Sequence, residues 1–478
     1  MMITASFIFF LLVFVAIGVA SAFVKSNDTG DYLLAGSNVK PWLVALSAVA
    51  TLNSGYMFIG LIGATYAVGI QTAWFLAGWV VGDLMASLFI HKRLRTTTEA
   101  REVLSYGGAI SNWYGKEQPY LRVVIGLITL ILLGVYAGAQ LTAGSKALHV
   151  LFEWDYAIGA IIGAVIVLAY CFAGGIRASI WTDAAQSFVM IIAMSLMLYM
   201  TINASGGFDG FWDRLNDVSP EYMAVFPPNL EFGITLFLAS WVFAGIAVIG
   251  QPHIMVRFMT MSAPEDIGRV RVYYYSWYAA FCALSVGVGL AARLLIPMET
   301  DGIPFDAELA LPTLAMELLP PILVGLVLAG LFAATMSTAD SQILSCTAAV
   351  TRDLSFGRKP GYWVTKFATV GITVLALCIA LFADENVFNL VLIAWSALGA
   401  AFGPLLILYC FGQRPNQWLA IAMVIGGVAM IPYWRSLGLT ESIYEVMPGM
   451  ITGFVIFLLG KMAGFTIKQS HEHEREKI

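Results

Sequence analysis

Apolar runs about twenty residues long recur from one end of this chain to the other, and they leave little freedom in what it can become. A helix needs about 20 such residues to cross the hydrocarbon of a bilayer, and only a helix or a closed barrel satisfies its own backbone there. About thirteen runs have that length. They cover residues 2–24, 42–69, 71–90, 120–147, 156–175, 181–203, 232–256, 273–297, 314–350, 363–383, 386–410, 417–434 and 448–467. The ninth is over-long, and its first part is expected to be an external helix before Pro320 and Pro321. Charged residues make up 12% of the chain and hydrophobic ones 59%, about half the charge of a soluble domain. The fold class expected is therefore an all-α, multi-pass integral membrane protein.

Charge tests the count of spans, because Lys and Arg collect in cytoplasmic loops. With the N-terminus outside, thirteen spans put 21 of the 25 Lys and Arg residues on the cytoplasmic side, all but Lys146, Arg214, Arg293 and Arg435. Asp209, Asp213, Asp217, Glu299, Asp301, Asp306 and Glu308 then lie outside. A missed or invented span would invert this asymmetry downstream, and it inverts nowhere. The expected location is the plasma (inner) membrane, with the C-terminus in the cytoplasm. The first run lacks a basic start and a small-residue cleavage site, so it reads as a retained span.

The net charge of −5 and the lack of a basic stripe outside the short loops argue against a nucleic-acid partner. The basic loop from His91 to Lys116 is explained by orientation alone, and no obligatory protein partner is evident. Cys171, Cys282, Cys346, Cys378 and Cys410 all fall within spans without metal-ligand spacing, so they read as packing residues. His471, Glu472, His473 and Glu474 read as a solvated tail rather than a metal site.

Ionisable groups in apolar surroundings are costly and usually functional. Residues 334–342 place Thr335, Ser337, Thr338, Asp340 and Ser341 in an otherwise apolar stretch. Ser337, Asp340 and Ser341 follow i, i+3, i+4 spacing and share one helix face, which points to an ion site. Asp83, preceded by Gly82, reads as structural. Two spans are interrupted, the second by Ser54, Gly55, Gly60 and Gly63, the seventh by Gly245, Gly250 and Pro252. They stand five places apart in the order of spans, so they cross in opposite directions, as inverted repeats do. Interrupted helices expose backbone groups where substrate and ions bind; close packing through glycine is the plainer alternative.

Several blocks resemble the sodium/solute symporter family, nearest its sodium/proline branch. They are GGIRASIWTDAAQ from Gly174, GQPHIMVRFM from Gly250, AWSALGAAFGP from Ala394 and the hydroxyl-rich ninth span. The likeness runs from Asp31 and Tyr32 to about span 11. It implies a five-plus-five inverted repeat, the leucine-transporter-like fold. The segments are then 1–41 (first helix and loop), 42–203 (first repeat), 204–231 (external loop), 232–410 (second repeat), 411–467 (two further helices) and 468–478 (tail).

The resemblance also implies a sodium site joining Ala50 and Asn53 of span 2 to Ala334, Ser337 and Thr338 of span 9. Read as structure only, Ser337 and Thr338 bond back to the preceding turn. Asp183, Ser337, Asp340 and Ser341 form a candidate second cation site; a shared proton, an exit path or a structural carboxylate pair are the other readings, with Asp183 alternatively a surface carboxylate. Ser54, Gly55, Tyr56, Tyr136, Trp241, Gly245, Gln251 and Pro252 are the candidate solute contacts. Proline transporters carry an aromatic pair where this chain has Ala244 and Val248, and an acidic residue where it has Leu52, so proline itself is disfavoured.

The implied function is sodium-coupled import of a small organic solute by alternating access, with an amino acid of the proline-like class favoured. Another carboxylate, pantothenate or a sugar is the alternative, and a passive channel the rival class. No phosphate loop, zinc cluster or nucleophile elbow suggests an enzyme. The sodium ion is the one cofactor expected, and solute and lipid bilayer are the expected partners.

Overall fold

A computed structural model describes residues 1–24, 26–227, 230–300, 303–355, 357–382 and 387–467. The expected tail, with its His-Glu run, and Asp301 lie outside the described residues. Helices dominate, and among the described residues eleven are long and apolar enough to cross a membrane. The elements that build the bundle are α1 (Met2–Ala20), α2 (Pro41–Gly55), α3 (Leu61–Val68), α4 (Thr72–Phe89), α5 (Pro119–Phe152), α6 (Tyr156–Ala204), α7 (Gly233–Ile246) and α8 (Pro252–Met259). There follow α9 (Ile267–Leu295), α10 (Ala310–Leu318), α11 (Pro321–Ala348), α12 (Tyr362–Phe382), α13 (Val387–Cys410), α14 (Gln417–Ser436) and α15 (Val446–Met462).

The 49 residues of α6 would reach about 74 Å if straight, more than twice the hydrocarbon thickness. They do not run straight. Gly175 has φ +59° and ψ −142°, a conformation glycine alone adopts readily. Tyr170 and Thr182, on either side of it, both pack against Gly18, so the chain doubles back there. Spans 5 and 6 thus meet at one residue, where the sequence suggested a short loop. A Cβ at Gly175 would lie 2.4 Å from the Tyr32 carbonyl oxygen, so the reversal is also wedged against the segment after α1. Counting α6 as two crossings and adding the shorter α15 accounts for all thirteen apolar runs. The over-long ninth run resolves into α10 and α11, divided at Pro320.

Both interruptions occur where expected. Ser54 near the end of α2 has φ +26° and ψ 179°, and a π-helical turn, Tyr56–Gly60, links it to α3. α7 stops at Ile246, a 3-10 turn follows over Ala247–Gly250, and extended Gln251 leads into Pro252 at the first position of α8. Proline suits that position because no helical partner exists there for an N–H.

Glycine sets the contact between α4 and α7. A Cβ at Gly82 would fall 2.0 Å from the Val242 carbonyl oxygen, and one at Gly245 2.0 Å from that of Trp79. Each obstacle is backbone and cannot rotate away. Gly82→Val is therefore expected to cost well beyond the roughly 1–3 kcal/mol of ordinary overpacking, read as loss of monodisperse protein in gel filtration; an unchanged yield would refute this packing.

Side-chain bonds tie the helices together near both ends of the bundle. On the side of the 204–231 loop, Tyr222 donates to the Thr65 carbonyl at 2.9 Å, Tyr66 to that of Pro297 at 2.8 Å, and Lys146 pairs with Glu308 at 2.5 Å. On the side of the 91–116 loop, Asp353 accepts from Ser105 at 2.5 Å and Arg122 at 3.0 Å. Between Pro252 and Asp353 the remaining cavity is about 10 Å³, room for about one water. Cys378 is exposed, whereas the other four cysteines are buried.

Candidate functional site

Just before the break in α2, the carbonyls of Ala50 and Thr51 face α11. The Ser337 hydroxyl donates to the carbonyls of Ala50 at 3.2 Å and Ala334 at 3.0 Å. Thr338 donates to Thr51 at 2.8 Å and Ala334 at 3.2 Å. Back-bonding within α11 and bridging to α2 thus coexist, and the four oxygens of Ala50, Ala334, Ser337 and Thr338 converge. Thr51 adds a carbonyl that the sequence reading did not include. Asn53 turns its amide nitrogen to the Val49 carbonyl at 2.7 Å, while its Oδ1 has no hydrogen-bond partner among the described residues.

One turn further along α11 lies a group the sequence reading missed. Arg257 of α8 is wholly enclosed, and so are Asp183 and Asp340. Its guanidinium lies 3.2 Å from Asp183 and 3.4 Å from Asp340, donates to Ser179 at 2.5 Å and also bonds Ser341. Asp340 accepts from Tyr170 at 2.8 Å and Ser179 at 2.6 Å, and Asp183 from Ser47 at 2.6 Å. Asp183 is therefore not a surface carboxylate. Its expected position near the membrane face is corrected by the fold-back at Gly175, which carries the start of span 6 into the interior. Likewise Arg257, assigned by charge to a cytoplasmic loop, sits in the core. The one signal for it was its position in the apolar run after Pro252.

Around the two breaks, the candidate solute contacts divide into groups. The Gly55 amide donates to Gln140 Oε1 at 2.8 Å, and the ring of Tyr56 lies 5.6 Å from Trp79, which in turn lies 4.9 Å from Trp395. Tyr136 meets the His253 ring edge-on at 5.6 Å. Gln251 donates to the Trp395 carbonyl at 3.0 Å. Trp241 is stacked on Phe75 at 4.3 Å and on Tyr444 at 4.8 Å, touching the group through Trp79 at 6.1 Å. Gly245 faces away from it, against α4, as packing glycine does. Trp79 Nε1, Gln140 Nε2, Gln251 Oε1 and both His253 nitrogens have no hydrogen-bond partner among the described residues. Each such buried group costs about 1–3 kcal/mol. The sequence gives no signal that Trp79, Gln140 and Trp395 lie beside the two breaks, because single polar or aromatic residues in spans usually pack.

Asp83 is structural in this arrangement: it accepts from Tyr274 at 2.8 Å and Tyr275 at 2.9 Å.

The fold has known counterparts. The chain is similar to the substrate-bound, outward-open state of a Na+-coupled sialic acid symporter, with TM-score 0.82 at 17% identity, covering 98% of this chain and 99% of that one. It is also similar to Mhp1, a nucleobase-cation-symport-1 family transporter, with TM-score 0.58 at 14% identity over 93% and 97% of the two chains. These likenesses place the fold in the leucine-transporter-like class. In sequence it is 30% identical over 436 residues to the high-affinity proline transporter PutP of Bacillus subtilis (strain 168), covering 90% of this chain and 91% of the relative. It is 31% identical over 456 residues to the sodium/proline symporter of Salmonella typhimurium (strain LT2), covering 92% and 90%. Residues 32–427 match the sodium:solute symporter family as a whole. That family consists of membrane transporters rather than enzymes, and this chain belongs to it.

Proposed function

We propose that this protein couples the entry of Na+ to the uptake of a small amino acid by alternating access, in a plasma membrane with its N-terminus outside. The observation that carries the reading is the set of four oxygens on Ala50, Ala334, Ser337 and Thr338, drawn from a broken helix and the helix facing it. Backbone carbonyls at a break and neutral hydroxyls suit Na+, and the absence of a carboxylate among them keeps binding weak enough for release. Asn53 Oδ1 is the further oxygen within the same turn. An ion there ties α2 to α11, so its binding favours one arrangement of the two repeats over the other. The membrane potential adds about 2.3 kcal/mol per 100 mV for each charge moved.

The second place is read differently. There the cation is the guanidinium of Arg257, so one Na+ per cycle is the stoichiometry proposed. Ser54, Gly55, Tyr56, Tyr136, Gln251, Trp79, Gln140 and Trp395 are the proposed solute contacts. Unpaired amide and indole groups suit a carboxylate and an ammonium, and ring faces suit an apolar side chain. Relatives named as proline transporters favour that class. Leu52, Ala244 and Val248 depart from their pattern, and Trp79 and Trp395 supply ring surface from other helices, which suits an amino acid bulkier than proline.

Uptake into proteoliposomes tests the reading. A panel of amino acids, short carboxylates, pantothenate and sugars is offered with and without an inward Na+ gradient. Accumulation of an amino acid only with the gradient is expected. Accumulation of none, or an ionic current without accumulation, overturns the proposal, the latter in favour of a channel.

A further inference from the structure

A cavity of about 650 Å³ opens on the flank of the bundle between α1, the start of α2 and the second half of α6. Its walls are apolar, formed by Ile17, Ile180, Ala184 and Phe188, and its mouth carries Lys40, Asn38 and two indoles, Trp42 and Trp181. Phe188 and Trp42 are 55% and 43% exposed, and Ile192, a turn beyond Phe188, is 54% exposed. This side therefore belongs to the belt that lipid covers. Whatever fills a groove in that belt comes from the bilayer, and an apolar trough wide enough for an acyl chain selects a lipid tail.

The mouth adds charge. Lys40 is exposed and makes no ion pair among the described residues. Arg177, also at the mouth, is engaged with Asp31 and with the Ala35 carbonyl at 2.9 Å, so these two charges offset one another. The net charge left is that of Lys40. Beside it, α2 begins at Pro41 with no side-chain cap; the Leu43 and Val44 amides bond the Lys40 carbonyl, and the positive end of the helix dipole there favours an anion. Tryptophans flanking a cation mark the depth of the headgroups, and basic pockets between membrane helices bind anionic headgroups. We infer that this groove is a binding site for one anionic phospholipid, with its phosphate at Lys40 and the start of α2 and a tail between α1 and α6. The inference stands on the flank alone and does not depend on which solute or ion is carried. Its position has a consequence: Ala184 follows Asp183, which is bonded to Ser47 of α2, so the lipid packs directly behind the core ion-pair network.

Lipids with brominated chains quench nearby tryptophan, so the contribution of Trp181, taken as the difference between the protein and Trp181→Phe, reports occupancy. The full chain is reconstituted with brominated phosphatidylglycerol or brominated phosphatidylcholine. One charge near the surface contributes about 1 kcal/mol, about fivefold in preference for phosphatidylglycerol. Lys40→Gln is expected to abolish that preference, and Ala184→Phe, which fills the trough, to reduce quenching by both lipids. Equal quenching of the Trp181 contribution by the two lipids overturns the inference. A preference that survives Lys40→Gln, or that free inorganic phosphate competes away, also overturns it, the latter in favour of a simple anion site.

Discussion

Ser337→Ala is expected to raise the Na+ concentration that half-activates uptake by about 10- to 100-fold. That corresponds to the roughly 1.5–3 kcal/mol carried by a polar contact to a charged group. The Ser337 oxygen lies within hydrogen-bonding distance of both Ala50 on α2 and Ala334 on α11, so its loss takes a ligand from the ion and a tie from the two helices. Thr338→Ala is expected to act similarly, since Thr338 reaches Thr51 and Ala334. Thr338→Ser keeps the oxygen and is expected to keep most of the affinity. Losing either hydroxyl strands no charged group, so folded yield is expected to change little. The two readouts therefore separate: Na+ activation shifts while thermal stability does not. Unchanged Na+ activation in both alanine variants would show that the hydroxyls serve only to hold the helices together, and the sodium site would have to lie elsewhere.

How much of this was legible in the sequence depended on the range of the interaction concerned. The number of crossings was legible because apolar length is local, and the breaks at Ser54 and at Gly250 to Pro252 because glycine and proline act on their own backbone. The pairing of span 2 with span 9 came from a family resemblance, and the approach of Ser337 to Ala50 has the geometry that resemblance implied. The fold-back at Gly175 was read as a loop. A single glycine with positive φ leaves no polar segment behind, so the usual signal of a turn was missing. That left a surface position for Asp183 open beside its place in the candidate second cation site. The rule used to orient the spans assigned Arg257 to a loop, because charge counting treats every arginine as solvated. Its true partners are 74 and 83 positions away, and no periodicity connects them. The approach of Trp79, Gln140 and Trp395 to the two breaks escaped for a similar reason: it depends on which face of a buried helix meets them.

The largest loss of stability is expected from Arg257→Met. The guanidinium is wholly buried between Asp183 and Asp340, and breaking a buried ion pair by removing one partner typically costs about 3–5 kcal/mol. Here two carboxylates would be left facing one another, so the upper end of that range applies. Little folded protein should survive detergent extraction. Adding Asp183→Asn and Asp340→Asn to Arg257→Met removes the stranded charges and is expected to recover much of the yield, because a neutral set with its serine donors intact carries no uncompensated charge. Arg257→Lys keeps the charge but has a differently shaped head from the guanidinium whose Nη2 reaches both acids and both hydroxyls; it is expected to fold and to transport slowly. The place that methionine vacates then decides what the site is for. Should the remaining carboxylates accept an ion, sodium chloride will protect the single variant against heat where choline chloride does not, and the arginine is a tethered stand-in for a second Na+. The unaltered protein would then show a Hill coefficient of one for Na+. A Hill coefficient near two in the unaltered protein that falls to one in Asp340→Asn would instead mean that Na+ enters beside the guanidinium, and the one-ion stoichiometry would be lost.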